Sequence, residues 1–210
     1  MMHIYAFGSI CRGDISVESD IDLLAIVDGQ DSRLAPEKFS IYSYSRIRQL
    51  WLAGNAFAWH LSLESRMIYA SDGRDFLQQL GFPSEYLGVK NDCRKFKDIF
   101  EHSFQAIKNG SPSLVFELST IFLSLRNLAT CYSLIVNDKP TFGRDSARRL
   151  GSRSLKIDED IYSLLMRSRI LSTRAVGSNI ENVEFDRLIV ELKKCQAWID
   201  GICQEVDIYE

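Results

Sequence analysis

The stretch that most constrains this chain is Phe7-Gly8-Ser9-Ile10-Cys11-Arg12-Gly13-Asp14, followed by Ser19-Asp20-Ile21-Asp22-Leu23. Residues 3–7 are mostly apolar and aromatic, and Gly8-Ser9 breaks that run where a chain must turn away from a strand. Gly8 has no Cβ, so its backbone can approach a ligand closely. The Ser9 hydroxyl and nearby N–H groups can donate to phosphate oxygens. Residues 20–27 read as a second strand, with two acids at its start and an apolar continuation typical of a sheet interior. A period of two puts the Asp20 and Asp22 carboxylates on one face. Held side by side they repel unless a cation lies between them, and hard oxygen ligands select Mg²⁺ or Mn²⁺. A metal beside a phosphate cradle points to phosphoryl-type transfer. Either element alone is a weak signal, since acids at a strand start often cap a turn; their order and spacing together are much stronger.

Gly8-Ser9, Arg12-Gly13 and Ser19-Asp20-Ile21-Asp22-Leu23 resemble the signature of the DNA polymerase β-like nucleotidyltransferase superfamily, above all its minimal and kanamycin-nucleotidyltransferase-like members. The resemblance implies an α+β fold built on a small mixed β-sheet with helices. It also implies a nucleoside triphosphate bound by Gly8 and Ser9, and Mg²⁺ (or Mn²⁺) held by a catalytic pair, Asp20 and Asp22. Arg12 stands open between orienting a phosphate and bracing the turn. The acceptor hydroxyl is left open among a protein, an RNA end and a small molecule.

In that superfamily a third carboxylate usually projects from the third strand toward the first two. Here residues 38–45 read Lys-Phe-Ser-Ile-Tyr-Ser-Tyr-Ser, without an acid. Loss of general-base assistance would forfeit roughly 10²–10⁴-fold in rate. Glu37, just before this strand, and Glu64, in the following helical segment, are acids that could approach the metal pair. Their plainer readings are a loop carboxylate and a structural acid.

A chain of 210 residues with ordinary apolar and charged fractions can form one sizeable domain or two small ones. A net charge of -3 gives no global basic signature, so tight nonspecific nucleic-acid binding is not indicated. Cysteines 11, 93, 131, 195 and 203 form no Cys-x-x-Cys pair and are odd in number, which fits a reducing cytosol rather than a disulfide framework or zinc. No secretory pattern opens the chain and no run approaches eighteen apolar residues, so the expectation is a soluble, cytoplasmic protein without a membrane partner.

Residues 28–37 read as a loop and 39–45 as the third strand. Residues 46–62 have helical spacing interrupted at Ala53-Gly54-Asn55, and 66–70 form a further short strand, followed by a turn and a short helix. His60, beside aromatic residues, reads as a satisfied structural histidine. Glycines and Pro83 near 82–92 mark a boundary, giving a nucleotidyltransferase-like domain at 1–88 and a helical-bundle domain at 89–210. Segments 92–109, 112–136, 156–176 and 180–206 carry apolar residues at helical spacing, with Ser178 or Asn179 as cap of the last and a short connector at 144–150. This order resembles the helical domain of kanamycin-nucleotidyltransferase-like proteins, where the bundle closes over the nucleotide or receives the acceptor. RNase-type bundles carry an Arg followed by His, and this chain has no His after His102. Arg144, Arg148, Arg149, Arg167, Arg169 and Arg174 fit a solvated helix surface better than an anion-binding face, with acids at hand to neutralise them.

Two functions follow. The first is a metal-dependent nucleotidyltransferase moving a nucleoside monophosphate from a triphosphate to a hydroxyl acceptor. The second is a catalytically weakened nucleotide-binding regulatory protein, such as an antitoxin-like or defence-associated subunit. A homodimer and a complex with a partner protein both remain open.

Overall fold

The computed structural model describes residues 1–14, 21–29, 31–175 and 183–208. The chain divides into two compact units, Met1–Gly88 and Val89–Glu210. The architecture is α+β, a small mixed sheet followed by helices.

The first unit contains strands β1 (Met2–Phe7), β2 (Asp22–Val27), β3 (Phe39–Ser43) and β4 (Ser65–Ala70) in the order β3-β2-β1-β4. β1 pairs antiparallel with β2 and β4, and β2 pairs parallel with β3. The one-turn helix α1 (Ser9–Arg12) leaves β1, and α2 (Tyr44–Leu52), α3 (Ala56–Glu64) and the short α4 (Phe76–Gln79) complete the unit. Tyr5, Phe7, Leu24 and Ile26 project from one sheet face into a core with Ile47, Leu50 and Trp51 of α2, Ala58 and Leu61 of α3, and Phe76 and Leu77 of α4. Leu24 and Ile26 are fully buried, each worth about 1.5–3 kcal/mol of hydrophobic stabilisation. A smaller cluster of Ala25, Val27 and Leu34 covers the other face.

The third strand is shorter than its alternation suggests because Ser43 takes a different job. Its side chain accepts from the Arg46 N–H at 3.1 Å and caps α2, so the chain enters the helix at Tyr44. Asn55 likewise accepts from Phe57 N–H at 2.9 Å and starts α3. His3 is buried among aromatic rings with both ring nitrogens engaged, Nδ1 at 2.5 Å from the Tyr44 hydroxyl and Nε2 at 2.9 Å from the Arg74 carbonyl. Those bonds are what allow a histidine inside the core.

The second unit contains α5 (Val89–Lys108), α6 (Leu114–Val136), α7 (Glu159–Arg174) and α8 (Phe185–Ile208). α6 packs on α5, α7 and α8, and α5 also packs on α8. Its core includes Phe100, Phe104, Ile121, Leu125, Leu128, Leu165, Leu192 and Ile199, which recur at helical spacing. The connector contains two 3₁₀ turns, Ser146–Arg148 and Gly151–Arg153. Ser178 and Asn179, expected as caps of the last helix, lie outside the described residues.

α6 is long and apolar enough to cross a membrane by length and composition alone. Half of that apolar stretch is buried inside the molecule, against the neighbouring helices, which is the ordinary position of a bundle's central helix.

Gly54, between α2 and α3, has φ 58°, and a Cβ there would overlap the carbonyl oxygens of Ser84 and Glu85. Gly54→Ala therefore combines left-handed strain with a backbone clash. A loss of about 1–3 kcal/mol is expected, read as a lower urea midpoint with an unchanged m-value.

Candidate functional site

The sheet order brings chain-distant residues onto one rim. β1 runs opposite to β2 and β4, so its C-terminal end meets their N-terminal ends, and the parallel pairing adds the N-terminal end of β3. Phe7 stands opposite Asp22 on one side and Ser65 on the other, and Leu23 stands beside Phe39. Across the rim the row therefore runs Lys38, Asp22, Phe7, Ser65, with Gly8 and Glu64 one residue further out and neighbouring strands about 4.8 Å apart.

Gly8 is the hinge of this rim. Its φ of 76° lies where L side chains are strained, and a Cβ built on it would stand 2.6 Å from Asp22 Oδ2. The bare backbone is what lets the Asp22 carboxylate lie against the end of β1. From Gly8 the chain makes the single turn of α1, closed by Cys11 N–H donating to Gly8 O at 3.1 Å and Asp14 N–H donating to Ser9 O at 3.0 Å. Gly13 follows with φ 80° as its left-handed stop. Cys11 donates to Ala6 O at 3.4 Å, and burial pushes its thiol above its ordinary pKa, so it is held as a neutral structural thiol.

Arg12 closes the turn from the other side. Its Nε donates to Asp14 Oδ2 at 2.9 Å and its Nη1 pairs with Glu64 Oε2. The same Glu64 oxygen lies 3.1 Å from His60 Nε2, and the His60 ring stands edge-on to Phe7 at 5.7 Å between centroids. Arg12 and Glu64 are only 20% and 14% exposed, so this ion pair is screened less than a surface pair. Of its two open roles Arg12 makes the bracing contacts, tying the turn after β1 to the last residue of α3. Glu64, an acid with no fixed role in the sequence, is half of that brace. The pairing spans 52 residues, and no local pattern announces it.

On the β3 side a cleft of about 420 Å³ opens beside Asp22, lined by residues 21–23 and 36–40. Glu37, Lys38 and Ser40 line it, and on the strand Ser40 stands beside Leu24 and Tyr42 beside Ile26. No carboxylate stands on β3.

Gly8, Ser9, Arg12 and Asp22 thus gather at one rim, whereas Asp20, the other expected metal ligand, lies outside the described residues. Among the described residues no three His, Cys, Asp or Glu side chains cluster as a metal site. Asp22 supplies the oxygen chemistry that a hard divalent cation takes, and the Gly8 backbone keeps the space beside its carboxylate clear of a side chain. In the second unit, Arg148 stacks over the buried Tyr162 ring and pairs with Glu159 at 2.6 Å, and the exposed Arg149 pairs with Asp145.

Residues 3–85 match the family model described as a nucleotidyltransferase domain. The match supports the nucleotidyltransferase superfamily for this segment, and nucleoside-monophosphate transfer in general as its chemistry. No curated protein matches the chain.

The brace is measurable by a double-mutant cycle. Arg12→Ala and Glu64→Ala, alone and together, should give a coupling of about 1–3 kcal/mol in chemical denaturation, as for a partly buried charged hydrogen bond. Strict additivity would show that the pair does not hold the turn.

Proposed function

We propose that this protein is a metal-dependent nucleotidyltransferase that moves a nucleoside monophosphate from a nucleoside triphosphate to a hydroxyl acceptor. The observation that carries the reading is the Asp22 carboxylate seated against the bare backbone of Gly8, within a segment that matches a nucleotidyltransferase domain. In this proposal the Gly8-Ser9 turn cradles the triphosphate, with backbone N–H groups and the Ser9 hydroxyl as donors. Arg12, tied to Glu64 and Asp14, keeps the turn in place. Asp20 and Asp22 would hold Mg²⁺ or Mn²⁺, whose chemistry there is to neutralise the triphosphate oxygens as charge develops. The acceptor hydroxyl attacks the α-phosphorus, and pyrophosphate leaves with the displaced electron pair.

A second reading rests on β3, which presents Ser40 and Tyr42 where the superfamily usually places an acid. In that reading the site still binds nucleotide and metal, but transfer has weakened and the protein acts as a nucleotide-binding regulatory or interaction subunit.

Titration with ATP, GTP, CTP and UTP in turn should give Mg²⁺-dependent binding of at least one, abolished in Asp20→Ala/Asp22→Ala. Binding that survives in the double variant would remove the metal site. Incubation with α-labelled nucleotide and cell extract separates the two readings, since only a transferase leaves label on an acceptor and releases pyrophosphate.

A further inference from the structure

The two flanks of the Gly8–Asp22 step differ in charge and in access. On the β4 side, Glu64 is engaged by Arg12 and His60, so that flank is filled. On the β3 side the cleft beside Asp22 is open and carries the exposed Lys38. The parallel register seats Leu23 beside Phe39, so Lys38 follows as the neighbour of Asp22 at the N-terminal ends of the two strands. Glu37 lines the same cleft, and Pro36 and Phe39 give it apolar walls.

Resting on the proposed function, we infer that this cleft receives the acceptor and that Lys38 selects an acceptor carrying a phosphate group next to its reactive hydroxyl. A triphosphate on the Gly8-Ser9 turn lies on the β1 side of Asp22, so an attacking hydroxyl has the β3 side left for its approach. In-line displacement places the nucleophile opposite the leaving pyrophosphate, which this division of the rim provides. An ammonium at the cleft mouth is a point charge suited to phosphate, and it offsets the repulsion that Asp22 and Glu37 would exert on an anionic acceptor. A volume of about 420 Å³ accommodates one sugar phosphate or one terminal nucleotide. Two sources share this chemistry, a phosphorylated small molecule and the phosphodiester-linked end of an RNA.

The test uses the full chain saturated with Mg²⁺ and the α,β-methylene analogue of whichever nucleotide binds. Ribose 5-phosphate, ribose, and a short RNA ending in a 3′-hydroxyl are then titrated as probes. At least one phosphate-bearing probe should bind more tightly than ribose. Lys38→Ala should weaken that probe about tenfold, the effect of one lost charge-assisted hydrogen bond, while Lys38→Arg retains most of it. Nucleotide affinity should stay within about twofold in both variants, and the preferred probe identifies the source. Equal probe binding by Lys38→Ala and wild type, or no preference over ribose, overturns the inference while leaving nucleotide binding intact. A parallel fall in nucleotide affinity also overturns it, by assigning Lys38 to the triphosphate. Failure of the wild-type chain to bind any nucleotide overturns the proposed function, and this inference with it.

Discussion

The first unit depends on one close approach, the Asp22 carboxylate against the end of β1. A Cβ on Gly8 would lie 2.6 Å from Asp22 Oδ2, well inside any contact that real side chains make. The positive φ at Gly8 turns the chain out of the strand, and the missing side chain leaves room for the carboxylate. One residue thereby sets the strand end, the start of α1 and the position of the acid. Most substitutions elsewhere in the turn change a contact, whereas one at this position changes the path of the chain.

The rest of the rim is arranged around that step by charge. Arg12 sits at the end of a one-turn helix too short to be stable by its own hydrogen bonds, and its guanidinium takes two carboxylates at once. A planar guanidinium can serve Asp14 through Nε and Glu64 through Nη1 in a fixed fork, which a lysine could not. His60 meets the same Glu64 oxygen from within α3, so the turn is tied to a helix whose Ala58 and Leu61 are anchored in the core. Packing energy from the core is in this way transmitted to a solvent-facing loop.

Much of this could be read from the chain alone, and the residues show why the rest could not. Gly8-Ser9 marks the end of β1 because a break after an apolar run has few other meanings, and the apolar continuation after Asp22 marks a central strand. The bundle helices were legible because burial on one face imposes a 3.6-residue period. The fold class, a small mixed sheet followed by helices, stood in the same pattern. The strand was read two residues too far, through Tyr44 and Ser45, because the alternation runs on past Ser43, whose side chain caps α2 through the Arg46 N–H. The Arg12–Glu64 pair and the nearness of Lys38 to Asp22 were illegible, since both arise from strand order and register. Within α6, Ser124, Thr130 and Ser133 bond to backbone carbonyls of their own helix, which lets them sit among apolar neighbours.

The missing acid on β3 bears on rate more than on binding. General-base assistance contributes roughly 10²–10⁴-fold, whereas alignment of a nucleophile with a fixed phosphate is worth effective molarities of about 10⁵–10⁸ M. In the proposed transfer, the hydroxyl's proton would pass to water or to the Glu37 carboxylate that lines the cleft. On that ordering, a site that keeps the Gly8–Asp22 step and replaces an acid with Ser40 would lose part of the acceleration and keep its geometry. Under the proposed function, transfer and regulation would then be two settings of one architecture, separated by how firmly the cleft beside Asp22 held an acceptor.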